Sequence, residues 1–166
     1  MEKQIVLLNG PSSSGKSTLA KALQAMLEKQ RGKSYAVVSI DDLMKCSPTE
    51  TIYEDDVFEI SGDLCACVRE AMKTASGVIV DHVITSERIF RQFMETLSPY
   101  RIRLVHVTCP AEVLRRREQE RGDRCPGSAE ASAAYLYPKE HYDLTVDTGC
   151  ASPDEAASRI TARLFS

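Results

Sequence analysis

A Gly-rich segment near the start of the chain carries residue types that bind phosphate. It reads Gly10-Pro11-Ser12-Ser13-Ser14-Gly15-Lys16-Ser17 and is followed by Thr18. Gly10 and Gly15 permit backbone conformations and a close phosphate approach that a Cβ would hinder. The Lys16 ammonium can reach β- and γ-phosphates, and the Ser17 hydroxyl can ligate Mg²⁺. The pattern predicts that residues 10–18 bind a nucleoside triphosphate.

The elements on either side of this segment support that interpretation. An apolar run of strand length, Ile5 to Leu8, precedes the loop, and Leu19, Leu23 and Leu27 recur at helical spacing after it. A loop between a strand and a helix points backbone N–H groups at one spot, where the positive end of the helix dipole attracts anions. This context favours a phosphate loop over a Ser/Gly-rich surface turn that matches by chance.

Strands and helices alternate along the rest of the sequence. Further strands are predicted at Tyr35 to Ile40, Val78 to Val83, Ile102 to Val107 and Leu144 to Val146. Helices are predicted near 16–30, 61–75, 86–97, 110–121, 128–137 and 153–165. The alternation predicts an α/β three-layer sandwich of the P-loop NTPase type, with a five-stranded parallel sheet and helices on both faces. With 166 residues, of which 43% are hydrophobic, we expect one domain spanning 1–166.

Acidic residues follow two of the predicted strands, where ligands gather in such sheets. Asp41 and Asp42 come after the second strand, and Asp81 lies near the end of the third. A carboxylate at this edge can hold the hydration shell of Mg²⁺ or orient an attacking hydroxyl, both of which phosphoryl transfer needs. The alternative is that these aspartates cap the next helix or turn. His82, beside Asp81, either contacts substrate or packs against the sheet.

An arginine-rich stretch lies between the fourth and fifth strands. Its arginines are Arg115, Arg116, Arg117, Arg121 and Arg124, and Gly122, Pro126 and Gly127 interrupt its second half. We interpret residues 121–128 as a lid whose guanidinium groups, from Arg121 and Arg124, neutralise the transferring phosphoryl group and exclude water. The alternative is a solvated helix in which Glu118 and Glu120 balance the arginines, and we favour that interpretation for Arg115 and Arg116.

Composition excludes several classes of protein. A net charge of −3 gives no general electrostatic footprint for nucleic acid. The apolar runs are too short to span a bilayer, so we expect a cytoplasmic protein without a membrane partner. The six cysteines are predicted to be reduced structural thiols because their spacing matches neither a zinc module nor a redox pair.

Four segments together resemble the chloramphenicol phosphotransferase-like family of P-loop kinases. The first three are the loop GPSSSGKS, the strand end Ser39-Ile40-Asp41-Asp42-Leu43 and the segment Val80-Asp81-His82-Val83. The fourth is a pair of stretches, RGDRCPG and, further along the chain, Tyr142-Asp143-Leu144-Thr145-Val146-Asp147-Thr148. They occur in the order found in the family and cover most of the chain. The last pair is more selective than the phosphate loop, which very many NTPases share.

The resemblance implies a kinase that transfers the γ-phosphoryl group of ATP, with Mg²⁺, to an alcohol. It implies that Asp41 is the catalytic base, that Lys16 and Ser17 serve ATP and metal, and that Arg121 and Arg124 belong to the lid. Asp81 is then a metal carboxylate, directly or through water, although its role and that of Asp41 are interchangeable on spacing alone. By analogy with related nucleotide kinases, Thr148 and Gly149 border the adenine, with an arginine from residues 117–121, Arg117 or Arg121, on the other side.

The acceptor region, about residues 41–62, suggests the chemistry of the acceptor. From Leu43 to Val68 there is no arginine and only Lys45 as a lysine, against six acids: Glu50, Glu54, Asp55, Asp56, Glu59 and Asp63. A nucleotide monophosphate needs cationic partners. We therefore expect a small neutral or cationic hydroxyl compound, walled by Leu43, Met44, Ile52, Tyr53 and Phe58. The alternative is an ordinary surface excursion, and Arg88 or Arg91 could reach into the pocket.

Three other functions stay open. They are a kinase of another metabolite such as a sugar alcohol or nucleoside, a kinase of RNA ends, and a regulatory protein that binds a nucleotide without an acceptor. Antibiotic modification is one role that the family resemblance allows.

Overall fold

Five strands form one parallel sheet in the computed structural model, which describes residues 3–44 and 53–165. The strands are β1 Gln4–Asn9, β2 Tyr35–Ser39, β3 Gly77–His82, β4 Arg101–Thr108 and β5 Leu144–Asp147. They lie in the order β2-β3-β1-β4-β5, and every neighbouring pair is parallel. The predicted α/β fold with a five-stranded parallel sheet is confirmed.

Helices cover both faces of the sheet. They are α1 Lys16–Arg31, α2 Ile40–Met44, α3 Glu54–Ala71, α4 Glu87–Thr96, α5 Ala111–Arg121, α6 Ser128–Tyr135 and α7 Pro153–Leu164. Alternation along β1 explains the two cores: Val6 and Leu8 pack with α1 and α7, whereas Ile5 and Leu7 pack with α3 and α4. Both sets are buried, so the central strand is apolar on each face.

The largest difference from the predicted elements is the start of α3. It begins at Glu54, seven residues before the predicted position 61, and its first turn holds Glu54, Asp55 and Asp56. Acidic side chains are favourable at the positive end of a helix dipole, so these residues have a structural reason to be acidic. The predicted start of this helix at residue 61 was therefore wrong.

A second difference concerns the strand end at Asp41. β2 ends at Ser39, and the five-residue helix α2 begins at once at Ile40. Asp41 and Asp42 thus lie in the first turn of a helix, where the positive end of the helix dipole favours carboxylates. Ile40 is buried in the core with α3 and α4, and this contact anchors α2 at the edge of the site.

The burial of the cysteines agrees with the helix predicted around Cys65 and Cys67. Cys65 is buried in α3 and Cys67 is exposed, as their spacing of two on a helix predicts. Burial raises the pKa of the Cys65 thiol to about 11. Cys65, Cys67, Cys109 and Cys150 are free thiols, and Cys46 lies outside the described residues. Within 3–44 and 53–165, no helix is long and apolar enough to cross a membrane.

Asn9, the last residue of β1, joins three separate segments beneath the site. Its side chain is fully buried, and its Oδ1 accepts a hydrogen bond from Ile84 N at 2.9 Å. Its Nδ2 donates to Tyr137 O at 2.9 Å and to the Tyr142 hydroxyl at 3.0 Å. The phosphate loop therefore starts from a strand end that is fixed to the β3–α4 connection and to the segment after α6.

We expect Asn9→Leu to lower the free energy of unfolding by about 2–4 kcal/mol, because it leaves buried polar groups without partners. Denaturant titration monitored by circular dichroism measures this change. Gln30→Leu, at an exposed position of α1, is the matched control and should shift stability by no more than about 0.5 kcal/mol. Equal stability of Asn9→Leu and the wild-type protein would contradict the role assigned to Asn9.

Candidate active site

The phosphate loop connects β1 to α1 in the predicted position. Gly15 caps α1 with a φ of 88°, a left-handed conformation that favours glycine. At Gly10 the structure shows a steric constraint from β4. A Cβ at this position would collide with the backbone oxygen of Val107 and lie 2.9 Å from the Val107 Cβ. Gly10 thus allows the loop to pack against β4, while Gly15 allows the turn into the helix.

Lys16 is buried, at 6% exposure, under its own loop. Its Nζ donates to Pro11 O at 2.8 Å and lies 3.5 Å from Ser14 Oγ. Burial lowers the pKa of Lys16 below its usual value, and the nearby carboxylates of Asp81 and Asp41 oppose that shift. The ammonium group is therefore placed where an additional anion, such as a phosphate, would stabilise its charged form.

Ser17 and Asp81 meet at the carboxyl end of the sheet. The Ser17 hydroxyl donates to Asp81 Oδ2 at 2.7 Å, and the Ser39 hydroxyl donates to the same oxygen at 3.1 Å. Asp81 is buried at the end of β3, which pairs with both β1 and β2. A hydroxyl and a carboxylate oxygen side by side are suitable ligands for Mg²⁺.

Asp41 faces the arginines of the segment 121–128. Arg124 Nη2 lies 3.0 Å from Asp41 Oδ1, and Arg121 Nη2 lies 3.9 Å from Asp41 Oδ2. Arg121 also pairs with Asp123 at 3.2 Å. The structure therefore brings together the acidic residue and the two arginines that the sequence analysis singled out separately.

Arg117 connects the phosphate loop to the end of β5. Its guanidinium donates to Ser14 O at 3.1 Å and to Thr148 O at 2.8 Å, and the Thr148 hydroxyl donates to Ser14 O. Arg117 and Thr148 are thus in direct contact, whereas the adenine analogy places them on opposite sides of the base. Arg115 and Arg116 are exposed on the same helix, and Arg115 lies 3.6 Å from Glu130.

Glu118 fixes the end of the segment 121–128. The sequence analysis assigned this residue to charge balance on a solvated helix, but it is buried at 6% exposure. Its carboxylate accepts hydrogen bonds from Gly127 N at 3.1 Å and Ala129 N at 3.0 Å, at the start of α6. Carboxylates stabilise helix N-termini. From the same helix, Ser132 Oγ accepts a hydrogen bond from Ser12 N at 3.0 Å and so links α6 to the phosphate loop.

One cavity of about 670 Å³ collects most of these groups. Among the predicted site residues, those that line it are Ser13, Gly15, Lys16, Ser17, Thr18, Asp41, Asp81, Arg117 and Arg121. The predicted site residues Gly10, Pro11, Ser12, Ser14 and Arg124 are not among the residues that line this cavity. The other lining residues are Leu19 of α1, Glu120 of α5, and Thr148, Ala151, Ser152 and Pro153 between the end of β5 and the start of α7.

In the region predicted to bind the acceptor, Arg88 of α4 contacts three residues of α3. Its guanidinium lies 2.8 Å from both Glu54 and Asp55, and it stacks over the Phe58 ring at 4.0 Å. Leu43 and Met44 pack against the core with α3 and α4, and Tyr53 is 66% exposed. Arg91 pairs with Glu87 on its own helix. Lys45, Glu50 and Ile52 lie outside the described residues.

His82 packs against the sheet, which was one of its two predicted roles. It is fully buried, its Nε2 is 3.0 Å from Ser61 Oγ, and its Nδ1 accepts a hydrogen bond from Val83 N at 2.8 Å. Burial lowers the pKa of His82 to about 3, and the charge of Lys16 acts in the same direction. His82 therefore stays neutral at physiological pH and fixes α3 against the end of β3.

Four residues that shape the site were given no site role in the sequence analysis: Asn9, Ser39, Glu118 and Ser132. Asn9 and Ser39 end buried strands, so a polar residue at such an end is a signal that could have found them. Glu118 and Ser132 offer no comparable signal, because their partners lie on another helix or on the phosphate loop.

Comparison with known proteins agrees with this geometry. A curated relative from Mycobacterium tuberculosis (strain H37Rv), named "Putative O-phosphotransferase", is 28% identical over 187 positions, which cover 96% of this chain and 81% of the relative. Two solved structures share the fold at 19% identity. The APS kinase CysC of Mycobacterium tuberculosis, solved with AMPPNP and APS, has a TM-score of 0.76 and 99% coverage of both chains. A gluconokinase from Sinorhizobium meliloti has a TM-score of 0.69, with 98% of this chain and 91% of the other covered.

A family model gives the more specific assignment. The model described as "Chloramphenicol phosphotransferase-like protein" matches residues 3–165, which is nearly the whole chain. The match includes the phosphate loop, both aspartates and the arginine-rich segment. The chain therefore belongs to the chloramphenicol phosphotransferase-like family and is a small-molecule phosphotransferase with a P-loop kinase fold.

Proposed function

We propose that this protein transfers the γ-phosphoryl group of ATP to a hydroxyl group of a small neutral or cationic molecule, a chloramphenicol-like antibiotic or a related metabolite. The observation that carries the proposal is the convergence of Lys16, Asp81 and Asp41 on one cavity. The names of its structural neighbours include an APS kinase and a gluconokinase, whose acceptors differ chemically. The acceptor must therefore be inferred from this chain's own residues.

The triphosphate binds along residues 10–18. Lys16 and the first N–H groups of α1 supply positive charge, and the first turn of this helix, Lys16 to Leu19, carries no acidic side chain that would repel phosphate. The nucleotide base binds in the part of the cavity that Arg117 and Thr148 line together. This placement is supported by the shared cavity wall that the two residues form with the phosphate loop.

The donor set of Ser17 and Asp81 fits Mg²⁺, because hydroxyl and carboxylate oxygens are hard ligands and both residues line the cavity. Ser17 is assigned as a direct ligand and Asp81 as a ligand or a water-mediated partner. Bound Mg²⁺ neutralises charge on the β- and γ-phosphates. Asp81 also accepts two serine hydroxyls, which is a reason to assign the base role to Asp41 instead.

Asp41 accepts the proton of the acceptor hydroxyl. A strong base is not required, because phosphoryl transfer depends mainly on positioning and on charge neutralisation. In the ligand-free protein the Asp41 carboxylate is paired with Arg124 and Arg121. A triphosphate carries more negative charge than one carboxylate, so it draws these guanidinium groups toward the transferring phosphoryl group and releases Asp41 to the acceptor.

The acceptor region is assigned to residues 41–62 and the lid to residues 121–128, within a single kinase domain spanning 1–166. Glu54 and Asp55 pair with Arg88, so the charge preference depends on the other acids between Leu43 and Val68, which are Glu50, Asp56, Glu59 and Asp63. Arg88 is itself neutralised, which leaves it a poor partner for an anionic acceptor. This balance favours a neutral or cationic compound.

A panel of hydroxyl compounds tests the function. It should include chloramphenicol, a neutral sugar alcohol, a nucleoside, a cationic amino alcohol, a nucleoside monophosphate and an RNA oligonucleotide, each scored for ADP release above the ATPase background. We expect a neutral or cationic compound to be phosphorylated and the two anionic ones to be inactive. Release that no compound stimulates would favour the regulatory alternative, and a phosphorylated RNA end would replace the small-molecule acceptor.

Two substitutions assign roles within the same assay. Lys16→Ala should lower kcat by about 100-fold or more, since it removes a charge that stabilises the transition state. Asp41→Asn should lower kcat by about 10²- to 10⁴-fold with nucleotide binding retained, because it removes the base and keeps the shape. Undiminished transfer by Asp41→Asn would remove Asp41 as the base.

Arg124→Ala should lower kcat by about 100-fold or more, because the developing charge on the phosphoryl group loses a guanidinium partner. Steady-state kinetics with the best acceptor of the panel measures this loss. Arg115→Ala is the matched control, since Arg115 is an exposed arginine outside the cavity. Wild-type kcat in the Arg124 variant would contradict the proposed lid.

A further inference from the structure

Ser13 has an unusual backbone conformation for a serine. Its φ is 67°, in the left-handed region that glycine adopts at little cost, and the other non-glycine residue with positive φ in the described ranges is His141. A side chain in this region raises the energy of the folded loop. A glycine would suit the backbone better, so the serine side chain needs another reason to be here.

The hydroxyl group of Ser13 has no hydrogen-bond partner among the described residues. The residue is 7% exposed, its Oγ is shielded from solvent, and none of the described residues forms a hydrogen bond with that oxygen. A buried hydroxyl without a partner is unfavourable because it has lost its water. Both the backbone and the side chain of Ser13 therefore destabilise the free loop.

The neighbouring hydroxyls differ in this respect. Ser14 Oγ lies 3.5 Å from Lys16 Nζ, and Ser17 Oγ donates to Asp81. Ser13 lines the same cavity as Lys16 and Gly15, where the incoming ligand is a polyanion. An uncommitted hydroxyl beside a buried ammonium group has the chemistry to donate to a phosphate oxygen.

We infer that the Ser13 hydroxyl donates a hydrogen bond to a non-bridging oxygen of the bound triphosphate and is a side-chain determinant of nucleotide affinity. This inference rests on the proposed function, because it takes ATP as the ligand. It goes beyond that function by assigning a role to a side chain in a loop whose backbone N–H groups suffice to bind phosphate. Ligand binding then satisfies a hydroxyl that has no hydrogen-bond partner among residues 3–44 and 53–165.

Ser13→Ala tests the inference, because it removes the oxygen and retains the Cβ. The affinity for AMPPNP in the presence of Mg²⁺, measured by calorimetry, should fall by about tenfold or more, the effect of losing a hydrogen bond to a charged group. The melting temperature of the free protein should stay the same or rise. Loss confined to AMPPNP assigns the contact to the γ-phosphate, and an equal loss for ADP assigns it to the β-phosphate.

Ser13→Gly separates the hydroxyl from the backbone. Glycine relieves the positive φ, so the free protein should be more stable than the wild type, yet AMPPNP affinity should fall as in Ser13→Ala. Ser98→Ala, in an exposed turn after α4, is the control for both measurements. Wild-type affinity in both Ser13 variants, or a loss of stability in Ser13→Ala, would overturn the inference. Failure of the wild-type protein itself to bind AMPPNP would overturn the proposed function as well.

Discussion

The burial of the Lys16 ammonium group is the constraint on which the rest of the site depends. A cation at 6% exposure is costly unless opposite charges and hydrogen-bond acceptors surround it. Pro11 O accepts one hydrogen bond, and the carboxylates of Asp81 and Asp41 supply the negative charge. The positions of these two aspartates therefore follow from electrostatics as well as from chemistry. The same arrangement prepares the lysine for a phosphate, which brings further negative charge to the cation.

The parallel sheet places these charges together. β1 lies at the centre of the sheet and pairs with β3, which in turn pairs with β2. Because the parallel strands end in register, Asn9, Asp81 and Ser39 meet at the carboxyl end of the sheet. Asn9 then connects that edge to the chain after α6, and Arg117 connects the phosphate loop to Thr148. The site is built from short connections between rigid strand ends.

Much of this architecture was readable in the sequence, for identifiable reasons. The order of apolar runs gave the sheet, and the phosphate loop, Asp41, Asp81 and the arginines were found because each has a local pattern of its own. The start of α3 was missed because Glu54, Asp55 and Asp56 resemble a polar loop until their position at a helix N-terminus is known. Glu118 and Ser132 were missed because a contact between two helices or between a helix and a distant loop leaves no periodic trace. Motifs of neighbouring residues can be recognised in the sequence, whereas the hydrogen-bond partners of buried polar side chains depend on the tertiary fold.

Glu118 has a consequence for the conformational entropy of the segment that follows it. By holding Gly127 N and Ala129 N, this carboxylate fixes the start of α6 to the side of α5. Residues 122–126 are then all that separates the two fixed points. Since ordering a backbone residue costs about 1–2 kcal/mol, a short tethered loop leaves little freedom to lose. Ligand binding then has fewer backbone residues to immobilise, which leaves more of its free energy for affinity and catalysis.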